Sequence, residues 1–132
     1  GHPAACAVAL KNIELIKKEN ILDSVKHSIA PYLRDKWLSL GDHPIVGEAR
    51  IKGLMGAIEL TNDKLKRSRF PSDFNTGSLC RDISIKNGLV MRAVGDSMII
   101  APPLVINHEE IDELIDKART TLDETQEAVQ KL

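Results

Sequence analysis

The sequence has few aromatic residues and no long apolar run. Its 132 residues include one Trp, one Tyr and two Phe. Proteins that bind single-stranded nucleic acid usually stack its bases on aromatic side chains, so this scarcity argues against that class of protein. No stretch reaches the roughly 20 apolar residues that a membrane-spanning helix needs, and the first residues lack the basic segment of a secretory signal peptide. The length predicts one globular domain, and we expect no membrane partner.

The sequence also lacks the spacings that are typical of metal sites. Cys6 and Cys80 are isolated, and none of the four histidines has a second His or a Cys at ligand spacing. Lone cysteines are typical of small buried side chains in a reducing compartment. We therefore expect no metal, two buried thiols and a cytoplasmic location.

The charge balance argues against a general attraction to polyanions. The net charge is -1 at pH 7, whereas nucleic-acid-binding domains usually carry a basic surface. One loop, residues 61–75, is locally basic and contains Lys64, Lys66, Arg67 and Arg69. It fits either a phosphate or nucleic-acid patch or an ordinary solvated loop. We favour the solvated loop and expect no nucleic-acid partner.

Hydrophobic periodicity predicts four helices and four short strands. The helices cover residues 3–18, 21–40, 76–86 and a segment after Asn107, and the strands lie within residues 45–60, 89–94 and 97–101. Pro31 is expected to kink or split the second helix, because an interior proline costs roughly 3 kcal/mol. Asn107 and Glu110 have the spacing of a capping box. Together these elements predict an α+β fold, a small mostly antiparallel sheet with helices on one face.

The first predicted helix has no polar face in its first half. Residues 4–10 are all Ala, Cys, Val or Leu. A helix that is apolar all round is normally covered on several sides, and a domain of this size has only a small core with which to cover it. The sequence therefore implies another body beside this helix, either a further domain or a partner subunit.

Arg92 is the charged residue whose position most needs an explanation. A type II′ turn at Gly95 places Arg92 opposite Ile99, and Val90 and Val94 lie on the same face. A guanidinium on such an apolar face is costly unless it meets an anion or reaches water. The turn residue after Gly95, an aspartate, is near enough to pair with it. Two alternatives remain: a structural ion pair or exposed arginine, and an arginine that binds a carboxylate bidentately.

Several segments, in order along the chain, resemble class III pyridoxal-phosphate aminotransferases, and most of all the omega-transaminases that use pyruvate as amino acceptor. Around the hairpin these are residues 87–96 (NGLVMRAVGD), 100–106 (IAPPLVI) and 109–113 (EEIDE). Upstream, residues 46–50 (VGEAR) and 53–60 (GLMGAIEL) are similar to the family's strand pair, and residues 1–3 (GHP) to the end of its Ser-Gly-His-Pro segment. Where the family usually has Gly-Leu-Gly after the arginine, this sequence has Ile51-Lys52-Gly53.

The resemblance implies that residues 1–132 form the C-terminal small domain of a fold-type I transferase. The parent would be a homodimer that uses pyridoxal 5′-phosphate and moves an amino group from an amine or omega-amino acid to a keto acid such as pyruvate. Its catalytic large domain, with the Schiff-base lysine, would precede Gly1. Arg92 would be the family's mobile arginine, which swings in to bind a substrate carboxylate. No catalytic, cofactor-binding or metal-binding residue is then expected in this chain, which alone would be inactive.

Two other functions remain open from the sequence. A stand-alone α+β ligand-binding or regulatory module would explain the fold and an anion-seeking Arg92, but not the uncovered first helix. A nucleic-acid-binding protein would use Lys64 to Arg69. The net charge and the scarcity of aromatic residues argue against this function.

Because the large domain is missing, we expect Arg92 to be exposed or salt-bridged here and not enclosed in a pocket.

Overall fold

A four-stranded antiparallel sheet with helices against one face makes up the computed structural model, which describes residues 1–131. The helices are α1 (Pro3–Lys18), α2 (Ile21–Ser24), α3 (Ala30–Ser39), α4 (Thr76–Lys86) and α5 (His108–Val129). The strands are β1 (Val46–Lys52), β2 (Met55–Leu60), β3 (Arg92–Val94) and β4 (Ser97–Ile100), in the order β1-β2-β4-β3. The predicted α+β class is confirmed; Leu132, the last residue of the predicted domain, lies outside the described residues.

The two faces of the sheet follow from the alternation of side chains along each strand. In β2, Gly56, Ile58 and Leu60 are buried, whereas Met55 is exposed. The buried face continues onto Met98 and the other even-numbered position of β4, and helices α3, α4 and α5 pack over it. The fully buried side chains of this core include Leu33, Trp37, Leu40, Ile58, Leu60, Met91, Met98, Ile111 and Leu122.

Gly56 brings α3 close to the sheet. A methyl group at Gly56 would lie 2.9 Å from two ring atoms of Trp37 and 3.0 Å from Ile100. Helix α3 therefore lies in direct contact with the sheet at this glycine. The bulge of the β1–β2 pair lies elsewhere, at Gly47, because the register shifts between Val46 and Glu48.

The predicted helix over residues 21–40 is interrupted but not broken. Residues Val25–Ile29 form a π-helical turn between α2 and α3, and Pro31 stands in the first turn of α3. A proline removes one backbone donor and its ring clashes with a carbonyl one turn earlier. The wider π turn lies where that clash would fall, so the chain continues in the same direction.

Helices α1 and α5 show opposite degrees of burial. None of the 16 residues of α1 is buried, whereas α5 buries seven of its 22. The predicted capping box is present, because Asn107 accepts a hydrogen bond from the Glu110 amide and Glu110 accepts one from the Asn107 amide. The expectation of two buried thiols is half wrong: Cys80 is buried, but Cys6 is exposed, as are all the residues in the first half of α1.

Candidate functional site

Backbone requirements hold the hairpin that carries Arg92. After α4 ends, Gly88 adopts a φ of +74°, a conformation that favours glycine at this position of a helix end. The chain then buries Met91 in the core. At the hairpin turn Gly95 has a φ of +56° and the next residue has a negative φ, as a type II′ turn requires. The predicted register, with Arg92 opposite Ile99, is confirmed.

Arg92 lies on the face of the sheet that no described helix covers. Cross-strand pairing joins Arg92 to Ile99, Ile99 to Ala57, and Ala57 to Arg50, so these four side chains form one row across the open face. Arg92 is exposed, as expected. Its guanidinium therefore reaches solvent, and the cost of burying a charge, which the sequence suggested, does not arise in this chain.

The two arginines of this row differ in their partners. Arg50 lies 3.2 Å from the carboxylate of Glu48 and 3.5 Å from that of Glu59. Arg92 has no ion pair and no side-chain hydrogen bond within residues 1–131. A guanidinium with all its donors available is suited to bidentate recognition of a carboxylate. The geometry thus leaves Arg92 free to bind an anion that comes from outside the described chain.

Asp96 does not serve as the partner of Arg92. Its carboxylate accepts a hydrogen bond from the Gly77 amide at 3.2 Å, at the start of α4. Its own carbonyl accepts another from the Leu60 amide at 2.9 Å. The ion pair that the sequence allowed between Asp96 and Arg92 is therefore absent, because the aspartate caps a helix instead.

The basic loop predicted over residues 61–75 borders an open cleft of about 650 Å³, lined among others by Lys64, Arg67 and Arg69. Much of its charge is already engaged. The Lys64 ammonium donates to the Gly41 carbonyl at 2.7 Å, and Lys66 lies 3.5 Å from Asp63. These contacts favour the solvated loop over a phosphate patch.

A family model described as aminotransferase class-III matches residues 1–122. The chain belongs to the class III aminotransferases. The predicted resemblance to this family is thereby confirmed.

Two curated aminotransferases illustrate the similarity. A putrescine–pyruvate aminotransferase of Pseudomonas aeruginosa is 54% identical over 129 residues, which are 98% of this chain and 28% of that protein. A mitochondrial gamma-aminobutyrate transaminase of Solanum lycopersicum is 38% identical over 132 residues, 100% of this chain and 25% of that protein. This aminotransferase chain thus spans about a quarter of the length of the curated relatives it matches.

Solved structures agree with the family. An omega-transferase from Vibrio fluvialis JS17 superposes with a TM-score of 0.93 at 29% identity, over 100% of this chain and 31% of that one. A transaminase in complex with L-alanine gives a TM-score of 0.90 at 31% identity, over 98% of this chain and 30% of that one. The aminotransferase chain therefore has the fold of the matched part of these enzymes.

A polar cluster between α3 and α5 of the aminotransferase chain was not predicted. Tyr32 donates to both carboxylate oxygens of Asp112, at 2.8 and 2.9 Å, and Lys36 lies 2.8 Å from the same carboxylate. The hydrogen bond from Lys36, followed by that from Tyr32, lowers the pKa of Asp112 below its usual range. The spacing of Tyr32 and Lys36, one turn apart on α3, was the only available signal.

The two thiols of the aminotransferase chain are in different environments. Burial raises the pKa of the Cys80 thiol to about 11, against a hydrogen bond from Thr125 that lowers it. Such a thiol is almost entirely protonated near neutral pH and is a poor nucleophile.

No group of three potential ligands among residues 1–131 is arranged to hold a metal ion. Nor is any helix in that range long and apolar enough to cross a membrane.

Proposed function

We propose that this chain is the C-terminal domain of a transaminase and that Arg92 binds the carboxylate of its substrates. The whole enzyme would move an amino group from an amine or omega-amino acid to a keto acid such as pyruvate. The name of the Pseudomonas relative, with pyruvate as acceptor, supports this assignment. Because the chain spans only 28% of that relative, the substrates belong to the proposal and not to the family assignment.

The observation that carries the proposal is the unpaired guanidinium of Arg92. It stands exposed on an open sheet face, and its cross-strand neighbour, Ile99, offers no charge. A keto acid and an omega-amino acid both carry a carboxylate, whereas a simple amine does not. A guanidinium at the end of a flexible side chain can bind the carboxylate of a keto acid or an omega-amino acid. It can also move away from the apolar chain of a simple amine.

The cofactor implied by the family is pyridoxal 5′-phosphate, and the described residues do not fit it as a complete site. One cleft places Lys64, whose ammonium is bound to a backbone carbonyl, beside exposed arginines. The other, of about 470 Å³, is an open groove between α2, α3 and the β1–β2 turn that contains Lys26 and Lys52. We propose that the cofactor and the lysine that holds it covalently lie in a large domain outside this sequence, and that the enzyme is a cytoplasmic homodimer.

The uncovered surfaces support the proposal of a further domain. Val8 and Leu10 of α1 are each 69% exposed, and Met55 and Val94 of the open sheet face are also exposed. Large exposed apolar patches usually mark interfaces. The occupant to which we commit is the remainder of the same polypeptide, since the curated relatives are about four times as long as this chain.

A direct test compares the isolated chain with the full-length enzyme. The isolated chain, given pyridoxal phosphate, an amine and pyruvate, should show no turnover. In the full-length enzyme, Arg92→Ala should weaken the binding of an omega-amino acid by about 10- to 100-fold, since a charged hydrogen-bonded partner contributes about 1.5–3 kcal/mol, while an apolar amine is unaffected. Turnover by the isolated chain, or equal effects of Arg92→Ala on both donors, would contradict the proposal.

Thiol labelling tests the uncovered helix separately. Cys6 should react quickly with a thiol reagent in the isolated chain and slowly in the full-length enzyme, because the added domain covers α1. Cys80, which is buried in the core, provides the internal control and should be protected in both. A stand-alone binding module would instead remain monodisperse and bind little hydrophobic dye, despite the exposed face of α1.

A further inference from the structure

Two hydrogen bonds hold the turn of the Arg92 hairpin, one from the first turn of α4 and one from strand β2. The Gly77 amide donates to the Asp96 carboxylate at 3.2 Å, and the Leu60 amide of β2 donates to the Asp96 carbonyl at 2.9 Å. A carboxylate at a helix N-terminus is further stabilised by the helix dipole. The turn is thus attached to both the helix layer and the neighbouring strand.

Glycine is the only residue type that fits this contact at position 77. A methyl group there would overlap the carbonyl oxygen of Gly95 and lie 2.9 Å from its carbonyl carbon and 3.2 Å from the Asp96 α-carbon. All three are backbone atoms, so no side-chain rotation relieves the overlap. Any residue other than glycine must therefore push the turn away from α4.

Arg92 lies between this contact and a second anchor. Met91, its immediate neighbour, is 1% exposed and fixed in the core. Val94, which precedes the turn, lies two residues after Arg92 along β3, or about 7 Å at the rise of an antiparallel strand. If the turn is displaced, the short strand β3 must rotate about the fixed Met91. The backbone of Arg92 then moves with the strand.

We propose that Gly77 and Asp96 are positioning residues that set the place of the Arg92 backbone and so the reach of its guanidinium. The inference rests on the proposed role of Arg92 in binding a carboxylate. Bidentate binding depends on both the distance and the plane of the guanidinium. Because β3 is an edge strand of three residues paired only with β4, its own hydrogen bonds are too few to fix that geometry.

The experiment measures the cofactor half-reaction of the full-length enzyme in single turnover, with two donors of equal chain length. One donor is an omega-amino acid and the other an apolar amine that lacks the carboxylate. Gly77→Ala should raise the half-saturating concentration of the omega-amino acid by about tenfold or more, since small misplacements of a binding group have large effects. The value for the amine should stay within about twofold, because that donor makes no ion pair with Arg92.

Asp96 provides the second, gentler variant. Asp96→Ala should act in the same direction as Gly77→Ala but less strongly, and Asp96→Asn should restore the discrimination, because its amide oxygen can still accept from Gly77. The control is Gly53→Ala, because an added methyl group there has nothing within 4 Å, and because Gly53, unlike Gly77, has a positive φ of +58°, so that the substitution strains only the local backbone. It should be destabilised without losing discrimination between the donors.

The outcomes separate this inference from the proposed function. If Arg92→Ala abolishes discrimination but Gly77→Ala and Asp96→Ala affect both donors equally, the two residues are merely structural and the inference is overturned while Arg92 keeps its role. If Arg92→Ala leaves discrimination intact, both ideas fail together. If Gly77→Ala does not fold, the Asp96→Ala and Asp96→Asn pair decides, because loss without rescue by Asn would overturn the positioning role.

Discussion

On the helix side of the sheet, Ile58 and Met98 are completely buried, whereas on the opposite side Met55 and Val94 are 66% and 52% exposed. Both faces carry apolar residues, but only one has helices packed over it. The open face also carries the charged row that ends in Arg92. The difference teaches that one side of this sheet forms a packed core. The other side has the composition of an interface, but no described helix covers it.

The largest expected effect is on the covered face. Trp37→Ala should lower the free energy of unfolding by about 3–5 kcal/mol, because it removes the largest fully buried side chain and leaves a cavity. Urea denaturation of the isolated chain measures it. Leu38→Ala, at the next position and partly exposed, is the control; equal effects of the two variants would mean that the α3 packing is wrong.

A smaller loss should follow from overfilling the same contact. Gly56→Ala should cost about 1–3 kcal/mol, because the added methyl group meets the Trp37 ring and Ile100. Thermal unfolding monitored by Trp37 fluorescence reports on this contact directly. Gly41→Ala adds the same methyl group at an ordinary 3.7 Å from Ala49 and should be nearly neutral. A neutral Gly56→Ala would argue against the close approach of α3.

A pH-dependent effect is expected where α3 meets α5. The pKa of Asp112 is lowered in the folded chain by the hydrogen bond from Lys36 and then by that from Tyr32. Its stabilisation is therefore fully present above the unfolded pKa, near 4, and is lost as the pH falls through the lower folded value. Melting temperatures of Asp112→Asn and the unmodified chain should differ slightly at neutral pH and converge in acid. A difference that grew in acid would contradict the assignment.

The smallest effect should appear on the open face. Val94→Thr should change the stability of the isolated chain by no more than about 0.5 kcal/mol, because its side chain already contacts solvent. Val46→Thr, the same change at a fully buried position of β1, should be clearly destabilising. In the full-length enzyme the two costs should move closer together, and if they do not, the open face of the sheet stays uncovered.

Local signals predicted much of this fold. The Gly95 turn predicted the hairpin register, and the capping box predicted the start of α5. Each of these depends on neighbouring residues in the sequence and on standard backbone geometry. The fold class followed from them.

Contacts between distant segments were beyond the sequence. The approach of Gly77 to Gly95 and the cap that Asp96 provides join residues about 19 positions apart. The exposure of Cys6 depends on what lies beside α1, which no pattern within the helix determines. The predicted exposure of Arg92 is confirmed, but its free guanidinium could be seen only once Asp96 was found to be engaged elsewhere.

The joint at Asn20 has a mechanical consequence. This residue adopts a left-handed conformation, with a φ of +50°, between α1 and α2. Helix α1 has 16 residues and is therefore a rigid arm about 24 Å long. A rotation of about 10° at its base would carry the far end through roughly 4 Å at that length. A small change in the two backbone dihedral angles of Asn20 can thus move the N-terminal end of α1 by about the length of a side chain.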